Sequence, residues 1–310
     1  MNKPLVCVVM CTYNGSKFID EQIESILKQD YDNIELIISD DVSTDDTWDK
    51  LVDWQHKNSR IKIFKNNLNI GYNKNFEKAI KLANGDFIAL SDQDDIWMPD
   101  KISSLIKQFE NKKITLAHSR SVRLQNGRLR FKSASLHHHF KGNDTRKLFM
   151  FNQVNGHDIL FKKDLIEKIL PIPEGVMYDW WISVVATCYG EIASVNKYLV
   201  HHRIHAENNF FNDKTILQKK QTDLVDVLKI FSLIDGLSPK SSSFLNAFLY
   251  QLIQHNEKQK NTLDYTFFSF LFKHAKIFFG HNRRWIPKWN YLKKSLKYAR
   301  FNFTGKGITF

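Results

Sequence analysis

The sequence predicts an α/β protein in which a mixed, mainly parallel sheet is flanked by helices and followed by a helical, basic appendage. Two observations support this fold class. In the first half of the chain, apolar runs of strand length alternate with amphipathic helical patterns, which is typical of a parallel sheet covered on both faces. In the last third, the strand patterns stop and positive charge accumulates.

The predicted elements follow one another in a regular order. The first four strands are Leu5–Met10, Ile34–Ser39, Ile61–Phe64 and Phe87–Leu90, and helical apolar spacing occupies residues 18–27, 48–55 and 76–83 between them. A fourth helix is expected near Pro99, because a first helical turn tolerates proline. Beyond residue 113 the patterns predict strands at Ile114–His118, Ser121–Gln125, Ile159–Phe161, Ile192–Val195 and Tyr198–Ile204, a hairpin turn at Asn126-Gly127 and a helix at Tyr178–Tyr189.

Charge divides the 310-residue chain into two predicted domains, 1–212 and 213–310. The whole chain holds 45 Lys and Arg against 33 Asp and Glu, a formal net charge of +12. Residues 213–310 carry 17 basic and 6 acidic residues, a net charge of +11, which leaves +1 for residues 1–212. The boundary therefore separates a nearly neutral sheet domain from a helical, basic and aromatic C-terminal region.

The C-terminal region suggests a surface for an anionic partner. Residues 265–310 contain 10 basic residues, no acidic residue and 14 aromatic residues. Aromatic side chains mixed with lysines and arginines suit an anionic membrane surface, where the rings lie at headgroup depth. Two alternatives stay open: a helical appendage packed on the sheet domain, and a site for single-stranded nucleic acid, which shares the charge signal.

Cysteine content and hydropathy predict a cytoplasmic protein. The three cysteines are Cys7, Cys11 and Cys188, and two of them lie in or beside the first apolar run, so a disulfide framework is not expected. No run approaches the roughly 18 apolar residues of a transmembrane helix. The N-terminal apolar run lacks a signal-peptide cleavage pattern and is predicted as a buried strand.

Polar clusters follow the predicted strands at the point where each strand ends. Thr12-Tyr13-Asn14-Gly15 follows the first strand, and Asp40-Asp41 follows the second. In open α/β sheets, ligands bind beyond the carboxyl ends of the strands, so these residues are candidates for a ligand site. The Asp40-Asp41 pair offers carboxylate acceptors for a pyrimidine N–H or a ribose hydroxyl.

Asp92 and Asp94 flank a single residue just after the fourth strand. A turn there can direct both carboxylates to one point, where they repel each other unless a cation or a proton intervenes. Oxygen ligands favour Mg²⁺ or Mn²⁺, and the chain has no glycine-rich loop that would otherwise hold a diphosphate. The alternative is a solvated acidic turn.

Four motifs follow one another along the chain: V-V-M-C-T-Y-N, I-I-S-D-D-V-S-T-D-D-T, N-x-G-x-x-x-K-N and L-S-D-Q-D-D-I-W. Together they resemble the family 2 glycosyltransferases, and the likeness spans residues 4–210. The resemblance implies the GT-A fold, a nucleoside diphosphate-sugar donor, inversion at the transferred sugar and a divalent metal, Mg²⁺ or Mn²⁺. Val42 stands where the family often has glycine.

The resemblance also assigns residues to the donor site. The expected nucleotide-binding residues are Thr12, Tyr13, Asn14, Asp40, Asp41, Lys74 and Asp92. Asp92 and Asp94 correspond to the D-x-D metal motif, and His205 is the third expected metal ligand. His205 lies in a stretch that resembles an R-x-H element closing over the donor, in which Arg203 would pair with phosphate. Strand alternation puts Arg203 and His205 on one face; the alternative is a solvated surface strand.

The segment Met177-Tyr178-Asp179-Trp180-Trp181 resembles an acidic motif of the family and opens a predicted helix. Asp179 is the expected catalytic base, since a carboxylate at a helix N-terminus is stabilised as an anion. The alternative is an N-cap aspartate beside two core tryptophans. The expected donor- or acceptor-binding residues are Asp95, Trp97, Trp180, Trp181 and Arg203, and Asn155-Gly156-His157-Asp158 lies where the family lines the acceptor side.

These inferences predict an inverting, metal-dependent glycosyltransferase that extends a lipid-linked or cell-surface saccharide. The forms S-D-Q-D-D-I-W and Y-D-W-W resemble rhamnosyltransferase-type members, which suggests a dTDP-rhamnose donor. UDP-sugars stay open, because a pyrimidine-binding aspartate does not separate thymine from uracil. Such transferases commonly act on lipid-linked acceptors, so we expect a peripheral position at the inner face of the cell membrane and no nucleic-acid partner.

Two other classes of protein remain as alternatives. A sugar nucleotidyltransferase can share a doubly wound sheet and an acidic metal site, but it should carry a glycine-rich basic loop after the first strand, where this chain has Thr12-Tyr13-Asn14-Gly15. A non-catalytic basic module would bind membrane or nucleic acid through the C-terminal region alone.

Overall fold

The computed structural model describes residues 3–131, 139–205, 223–258, 262–280 and 287–300. Within them the chain forms nine β-strands: β1 Val6–Thr12, β2 Ile34–Asp40, β3 Ile61–Lys65, β4 Phe87–Ser91, β5 Ile96–Trp97, β6 Ile114–Gln125, β7 Arg128–Arg130, β8 Ile159–Lys162 and β9 Glu191–Ile204. The α-helices of the same residues are α1 Ile19–Leu27, α2 Thr47–Lys57, α3 Tyr72–Leu82, α4 Lys101–Ile106, α5 Ile166–Ile169, α6 Tyr178–Tyr189, α7 Leu224–Ser232, α8 Pro239–Asn256, α9 Tyr265–Lys273, α10 Ala275–Phe279 and α11 Pro287–Tyr298.

All nine strands belong to one mixed sheet, in the order β3-β2-β1-β4-β8-β6-β9-β5, with β7 paired to β6. The long ladders of β1 with β2 and of β6 with β9 are parallel, whereas β8 runs antiparallel to both of its neighbours. The predicted α/β class, with a mixed and mainly parallel sheet flanked by helices, is confirmed.

The reversed direction of β8 brings an additional segment to the ligand-binding edge. Ala89 of β4 lies opposite Leu160 of β8, and Phe87 lies opposite Lys162. The amino end of β8 therefore meets the carboxyl end of β4, so residues 155–158 lie beside the acidic turn at residues 92–95.

Most predicted elements occur with small changes of boundary. The two strands predicted between residues 114 and 125 are one strand, β6, whose pairing with β9 shifts register near His118 and Arg120. The two predicted between residues 192 and 204 are likewise one strand, β9. The Asn126-Gly127 turn is confirmed, with φ of +50° and +71°. The two-residue strand β5 was not predicted, because so short a run shows no periodicity.

Alternate residues of the central strands pack into two cores on opposite faces of the sheet. Val6, Val8 and Met10 of β1 face a core formed with α1 and α4, whereas Cys7 and Val9 face a core formed with α3 and α6. This alternation is the reason that the strand lacks polar residues, since both of its faces are covered.

Helices α7–α11 extend the second core instead of standing apart from it. The ring centroid of Phe231 in α7 lies 5.5 Å from that of Trp180 in α6, and Phe279 in α10 lies 6.4 Å from Phe151. Phe267, Phe278 and Phe279 have no exposed surface. Those three rings are therefore core residues, and the expectation that they lie at membrane headgroup depth is wrong.

The described parts of residues 213–310 are helical, as predicted, and residues 213–222, 259–261, 281–286 and 301–310 lie outside the described residues. No helix in the described ranges combines the length and the apolar character needed to span a membrane.

Candidate active site

The loops after β1 and β2 are tied together by side chains that were predicted to bind nucleotide. The Thr12 hydroxyl donates to Asp40 Oδ1 at 3.0 Å, and Asp40 also accepts hydrogen bonds from the backbone N–H and the hydroxyl of Ser43. Asn14 Oδ1 accepts the N–H of Thr44 at 2.8 Å. Thr12 and Asp40 are buried, so these side chains shape the two loops.

Asp41 holds the loop that leads into α3. Its carboxylate accepts the N–H groups of Ile70 at 2.9 Å and Gly71 at 2.8 Å, and Asn66 Nδ2 at 2.7 Å. A carboxylate offers about four acceptor sites, so these contacts leave room for one more donor. Nucleotide binding by Asp41 stays a prediction. The position of Asp41, directly after β2, agrees with it.

Val42 adopts φ of +64°, a left-handed conformation that is strained for a β-branched residue. Glycine occupies such positions without a steric penalty, which gives a physical reason for the glycine that the family often has here.

Among the predicted nucleotide-binding residues, Tyr13 and Asn14 are exposed and Lys74 is half-buried. Tyr13 is 42% exposed, and its backbone N–H and C=O are both bonded to the Gln93 side chain, at 2.9 and 3.0 Å. Gln93 is the middle residue of the D-x-D motif, so it fastens the first loop to the acidic turn. Lys74 lies in the first turn of α3, and its Nζ is 3.1 Å from the carboxylate of Glu77.

Each carboxylate of the D-x-D motif contacts a histidine. Asp92 Oδ2 lies 3.2 Å from His157 Nδ1, and Asp94 Oδ2 lies 2.8 Å from His205 Nε2. Burial raises the pKa of Asp94, and the charge of Asp92 raises it further. Burial alone would also raise the pKa of Asp92, but the hydrogen bond and charge of His157 outweigh it and lower that pKa.

The predicted metal ligands are therefore only partly assembled. Asp94 and His205 meet, whereas Asp92 faces His157. In the part of the chain that the structure describes, the one group of three potential ligands whose atoms all lie within 4.8 Å of one another is Asp95, His157 and His202. Binding of a metal by Asp92, Asp94 and His205 stays a prediction, and the neighbouring group is a second candidate.

The donor set fits a divalent cation. Asp95 Oδ2 and His157 Nε2 are buried and have no hydrogen-bond partner among the described residues. Burial would lower the pKa of His157, but the carboxylates of Asp158, Asp95 and Asp92 raise it to about 10. The carboxylates around this pocket therefore stabilise a positive charge, which a protonated imidazole or a bound cation can supply. Carboxylates with imidazoles suit Mn²⁺, and carboxylates suit Mg²⁺.

Lys101 lies beneath this pocket and is completely buried. Its Nζ donates to the backbone carbonyl of His157 at 2.6 Å and lies 3.2 Å from the ring centroid of Trp97. Burial lowers the pKa of Lys101 to about 7, against the raising effect of the nearby carboxylates of Asp158 and Asp95. Lys101 therefore fixes the backbone that carries His157.

Asp179 lies in the first turn of α6, beside the segment before β8. Its Oδ2 accepts the N–H of Gly156 at 3.2 Å, and its Oδ1 accepts the N–H of Trp180 at 2.7 Å. Burial raises the pKa of Asp179 to about 6. A Cβ on Gly156 would lie 2.2 Å from Tyr178 Oη, so glycine is needed for this close approach.

The start of α6 is held in place from α3. Asn73 Nδ2 donates to the carbonyl of Val176 at 2.7 Å, and Asn73 Oδ1 accepts the N–H of Tyr178 at 3.0 Å. The ring of Phe76, one turn further along α3, stacks on Tyr178 at 4.1 Å. Helix α3, which also carries the predicted nucleotide-binding residue Lys74, thereby positions the helix that carries Asp179.

The three tryptophans predicted to bind sugar are buried packing residues. Trp97, Trp180 and Trp181 are at most 8% exposed. The indole N–H of Trp180 donates to the Leu148 carbonyl, and that of Trp181 donates to the Ile169 carbonyl, each at 2.7 Å. Their rings fill the two cores and leave little surface for a sugar, so the packing alternative describes them better.

Arg203 supports the acidic turn through contacts to its backbone and side chains. Its N–H donates to Asp95 Oδ1 at 3.0 Å and its Nε donates to the Asp94 carbonyl at 2.8 Å. The guanidinium also pairs with Glu21 and lies over the Phe18 ring. Arg203 and His205 converge on Asp94 as strand alternation predicts, and phosphate binding by Arg203 stays a prediction.

The fold and this arrangement of residues define a glycosyltransferase of the GT-A type. Residues 7–170, more than half of the chain, match the sequence model of glycosyl transferase family 2. An uncharacterized glycosyltransferase of Methanocaldococcus jannaschii is 31% identical over 222 residues, which cover 68% of this chain and 75% of the relative. The chain therefore belongs to glycosyltransferase family 2, and it is an enzyme that uses sugar-nucleotide donors.

Shorter matches link part of the chain to relatives whose names state a reaction. The Escherichia coli UDP-Glc:alpha-D-GlcNAc-diphosphoundecaprenol beta-1,3-glucosyltransferase WfaP is 43% identical over 115 residues, 37% of this chain and 45% of the relative. The dTDP-rhamnosyl transferase RfbG of Shigella flexneri is 43% identical over 102 residues, 31% of this chain and 35% of the relative. The matched regions cover less than half of the length of both relatives.

Among solved structures, the S. aureus TarS fragment 1–349 in complex with UDP-GlcNAc superposes with a TM-score of 0.63 at 17% identity. The superposition covers 88% of this chain and 81% of the TarS fragment, so the fold likeness extends into the C-terminal helices.

Proposed function

We propose that this glycosyltransferase is an inverting, metal-dependent enzyme in which Asp179 removes the proton from the acceptor hydroxyl. One observation carries the proposal: Asp179 is a half-buried carboxylate at the start of α6, held by two backbone N–H groups. It lies near the acidic turn, close enough for the charge of Asp92 to raise its pKa. A base at this position would lie near the residues proposed to hold the metal and the leaving diphosphate.

The environment of Asp179 suits a general base. Its pKa of about 6 lies above the usual value for aspartate, so the group is ionised at neutral pH and is more basic than an exposed aspartate. As the pH falls through about 6, the carboxylate takes up a proton and loses the ability to accept one from the acceptor. The proposal therefore includes a fall in transfer rate on the acidic side of pH 6.

In the proposed reaction, the deprotonated acceptor hydroxyl attacks the anomeric carbon from the side opposite the nucleoside diphosphate. The bond between the sugar and the diphosphate breaks, and a single displacement inverts the anomeric centre. A divalent ion, when bound, neutralises charge that develops on the leaving diphosphate. Asp92, Asp94 and His205 would hold this ion, or the adjoining Asp95, His157 and His202.

We propose a pyrimidine nucleoside diphosphate-sugar as the donor. WfaP, named as a UDP-Glc glucosyltransferase, and RfbG, named as a dTDP-rhamnosyl transferase, are each 43% identical to this chain over the matched residues. Rhamnose and glucose are therefore the first two sugars to test. The glycosyltransferase family assignment also favours this reaction over the nucleotidyltransferase and the non-catalytic binding module.

A lipid-linked saccharide is the proposed acceptor, and the proposed location is the inner face of the membrane. The name of WfaP includes an N-acetylglucosamine joined to a lipid through diphosphate. On the C-terminal helices, Tyr265, Phe272 and Trp289 are 75%, 45% and 60% exposed, and Lys273 and Lys293 are exposed near them. Exposed aromatic and basic side chains together favour an anionic bilayer surface.

The membrane proposal is best tested by point substitution, because deleting residues 265–310 would remove buried core rings. We expect W289A to weaken binding to phosphatidylglycerol vesicles, with unchanged thermal stability. L233A is the matched control, since Leu233 is 77% exposed but lies directly after α7, away from the exposed aromatic and basic residues of α9 and α11 in the sequence. Equal vesicle binding by wild type and W289A would contradict the proposal.

The reaction itself is tested by a panel of dTDP-rhamnose, UDP-glucose, UDP-galactose and UDP-N-acetylglucosamine with Mg²⁺, Mn²⁺ or EDTA. We expect turnover of a pyrimidine nucleotide-sugar that requires one of the two metals, with inversion of the anomeric configuration by NMR. Turnover that is undiminished in EDTA would contradict the metal, and retention of configuration would contradict the single displacement.

A further inference from the structure

Three exposed arginines form a strip on the hairpin of β6 and β7, outside the residues that the proposed reaction uses. Arg123 of β6 pairs with Arg130 of β7 on one side and with His202 of β9 on the other. Paired residues project from the same face of a sheet, so these three side chains share a face. Arg128 lies two residues before Arg130 and belongs to the same face. We call Arg123, Arg128 and Arg130 the arginine strip.

The face that carries the arginine strip is the face of the active site. The His202 ring lies 4.6 Å from the His157 ring, and His157 contacts Asp92. Ser121, two residues before Arg123, accepts a hydrogen bond from Asn155 Nδ2 at 3.5 Å. Asn155 adjoins Gly156, whose N–H is bonded to Asp179. The strip therefore begins beside the residues that surround the proposed base.

From the active site, the strip runs outward across the sheet. Neighbouring strands are about 5 Å apart, so Arg123 is one strand beyond His202 and Arg130 is two, at about 10 Å. Arginine side chains reach further still. A negatively charged group held here would lie further along the acceptor than the hydroxyl that reacts at Asp179.

The charge of this segment indicates an anionic ligand with several oxygens. Between Ser121 and Phe131 the sequence holds the three arginines of the strip and no Asp or Glu. The arginine strip is exposed on the hairpin, and guanidinium groups bind phosphate oxygens in pairs of parallel hydrogen bonds. A single carboxylate would engage one guanidinium, whereas a diphosphate can engage two or three neighbouring ones.

We propose that the arginine strip binds the diphosphate of the acceptor, so that the enzyme selects saccharides linked through diphosphate over neutral glycosides of the same sugar. The inference rests on the proposed function in that it takes the acceptor to be a phosphate-linked saccharide. It adds a specificity-determining site on β6 and β7, separate from the donor diphosphate at the acidic turn.

The kinetic test compares two synthetic acceptors with wild type and R123Q/R130Q. Both acceptors carry N-acetylglucosamine, one joined to an octyl chain through diphosphate and the other joined directly. We expect the KM for the diphosphate acceptor to rise about tenfold to a hundredfold in the variant, because charge-assisted hydrogen bonds are lost. The KM for the neutral acceptor, the KM for the donor and the melting temperature should not change.

The control variant is K112Q/K113Q, which removes two exposed positive charges just before the opposite end of β6. It should behave as wild type in every assay. An equal loss with both acceptors, a loss confined to the donor KM, or the same loss in the control would each overturn the proposal. Reduced binding of R123Q/R130Q to phosphatidylglycerol vesicles, with both acceptor KM values unchanged, would assign the strip to lipid headgroups and overturn it as well.

A binding experiment separates failure of this inference from failure of the proposed function. Inorganic pyrophosphate is titrated calorimetrically into each protein with saturating UDP and Mg²⁺, so that the donor site is filled. Wild type should bind at least tenfold more tightly than R123Q/R130Q. Equal binding overturns the inference even when transfer is observed. Arginine-dependent binding in a protein without transfer would support the strip and contradict only the proposed reaction.

Discussion

At the carboxyl edge of the sheet, buried carboxylates and histidines crowd together, whereas in helices α7–α11 the buried side chains are mainly apolar. The edge holds Asp95, His157 and Asp158, each at most 4% exposed, with Lys101 beneath them. The C-terminal helices hold Phe231, Phe248, Phe267 and other rings packed on one another and on α6. Both regions carry formal charge in the sequence, but the edge buries several ionisable side chains together, whereas Asp264, just before α9, is buried in an ion pair with Lys258.

The difference separates chemistry from stability. Crowded buried carboxylates are unfavourable unless a proton or a cation compensates them, so the edge is a poor source of stability and a good place to bind a cation. Buried phenylalanines supply apolar area and no reactive group, so the helices support α6 from behind. Substitutions at the edge should therefore affect catalysis, and substitutions in the helices should affect folding.

Among the substitutions that compare the two regions, the largest expected effect is the loss of activity in D94N. Charge stabilisation by a metal is worth several kcal/mol in the transition state, so we expect transfer to fall about a thousandfold. Stability should not fall, because burial and the charge of Asp92 already disfavour the ionised form of Asp94. The measurements are kcat/KM with Mn²⁺ and urea unfolding. D46N, at an exposed N-cap whose side chain makes no cap hydrogen bond, is the control. A D94N enzyme with wild-type activity would remove Asp94 from the metal site.

In the C-terminal helices, F248A should lower stability and leave activity unchanged, the opposite of D94N. Phe248 has no exposed surface and its ring lies 4.8 Å from that of Phe278. Removing such a ring lowers the free energy of unfolding by about 3–5 kcal/mol, which urea unfolding measures. Transfer per folded molecule should be unchanged. F272A, at a ring that is 45% exposed, should lose much less stability. Similar stabilities for F248A and wild type would mean that these helices do not form a cooperative core with the sheet.

A smaller effect is expected at Val42, which lies in the loop after β2. V42G relieves the left-handed strain, worth about 1–2 kcal/mol, and adds about 0.5–1 kcal/mol of chain entropy to be lost on folding. We expect a net gain of about 0.5–1 kcal/mol, seen as a higher melting temperature. V42A keeps a Cβ and should not show the gain. A destabilised V42G would mean that contacts of the valine side chain outweigh the strain.

Sequence reasoning located the edge because its residues follow parallel strands. Asp92 and Asp94 come directly after a buried strand, and such positions collect ligands whatever the loop conformation. His157 has no such signal, because it precedes β8, and only the antiparallel direction of β8 brings it to Asp92. Asn73 likewise gains its role from contact with α6, about a hundred positions further along the chain.

The aromatic residues were harder to place from sequence. A phenylalanine at helical spacing has the same pattern whether its face meets another helix or a bilayer, so Phe278 could not be told from a surface residue. The tryptophans posed the same problem, since Trp180 and Trp181 are adjacent in sequence and each finds a backbone acceptor for its indole in the core. Lys101 lies at a core-facing helical position, where a charged residue is uncommon, and that signal could have been noticed.

The role of Asp179 is the central claim, and the transfer rate of D179N tests it most directly. Asparagine keeps the shape of the side chain but cannot accept a proton, so kcat should fall about a hundredfold to ten-thousandfold while the donor KM stays unchanged. D164N, at an exposed aspartate, should match wild type. A D179N enzyme that transfers sugar within a few-fold of the wild-type rate would contradict the assignment of Asp179 as the base.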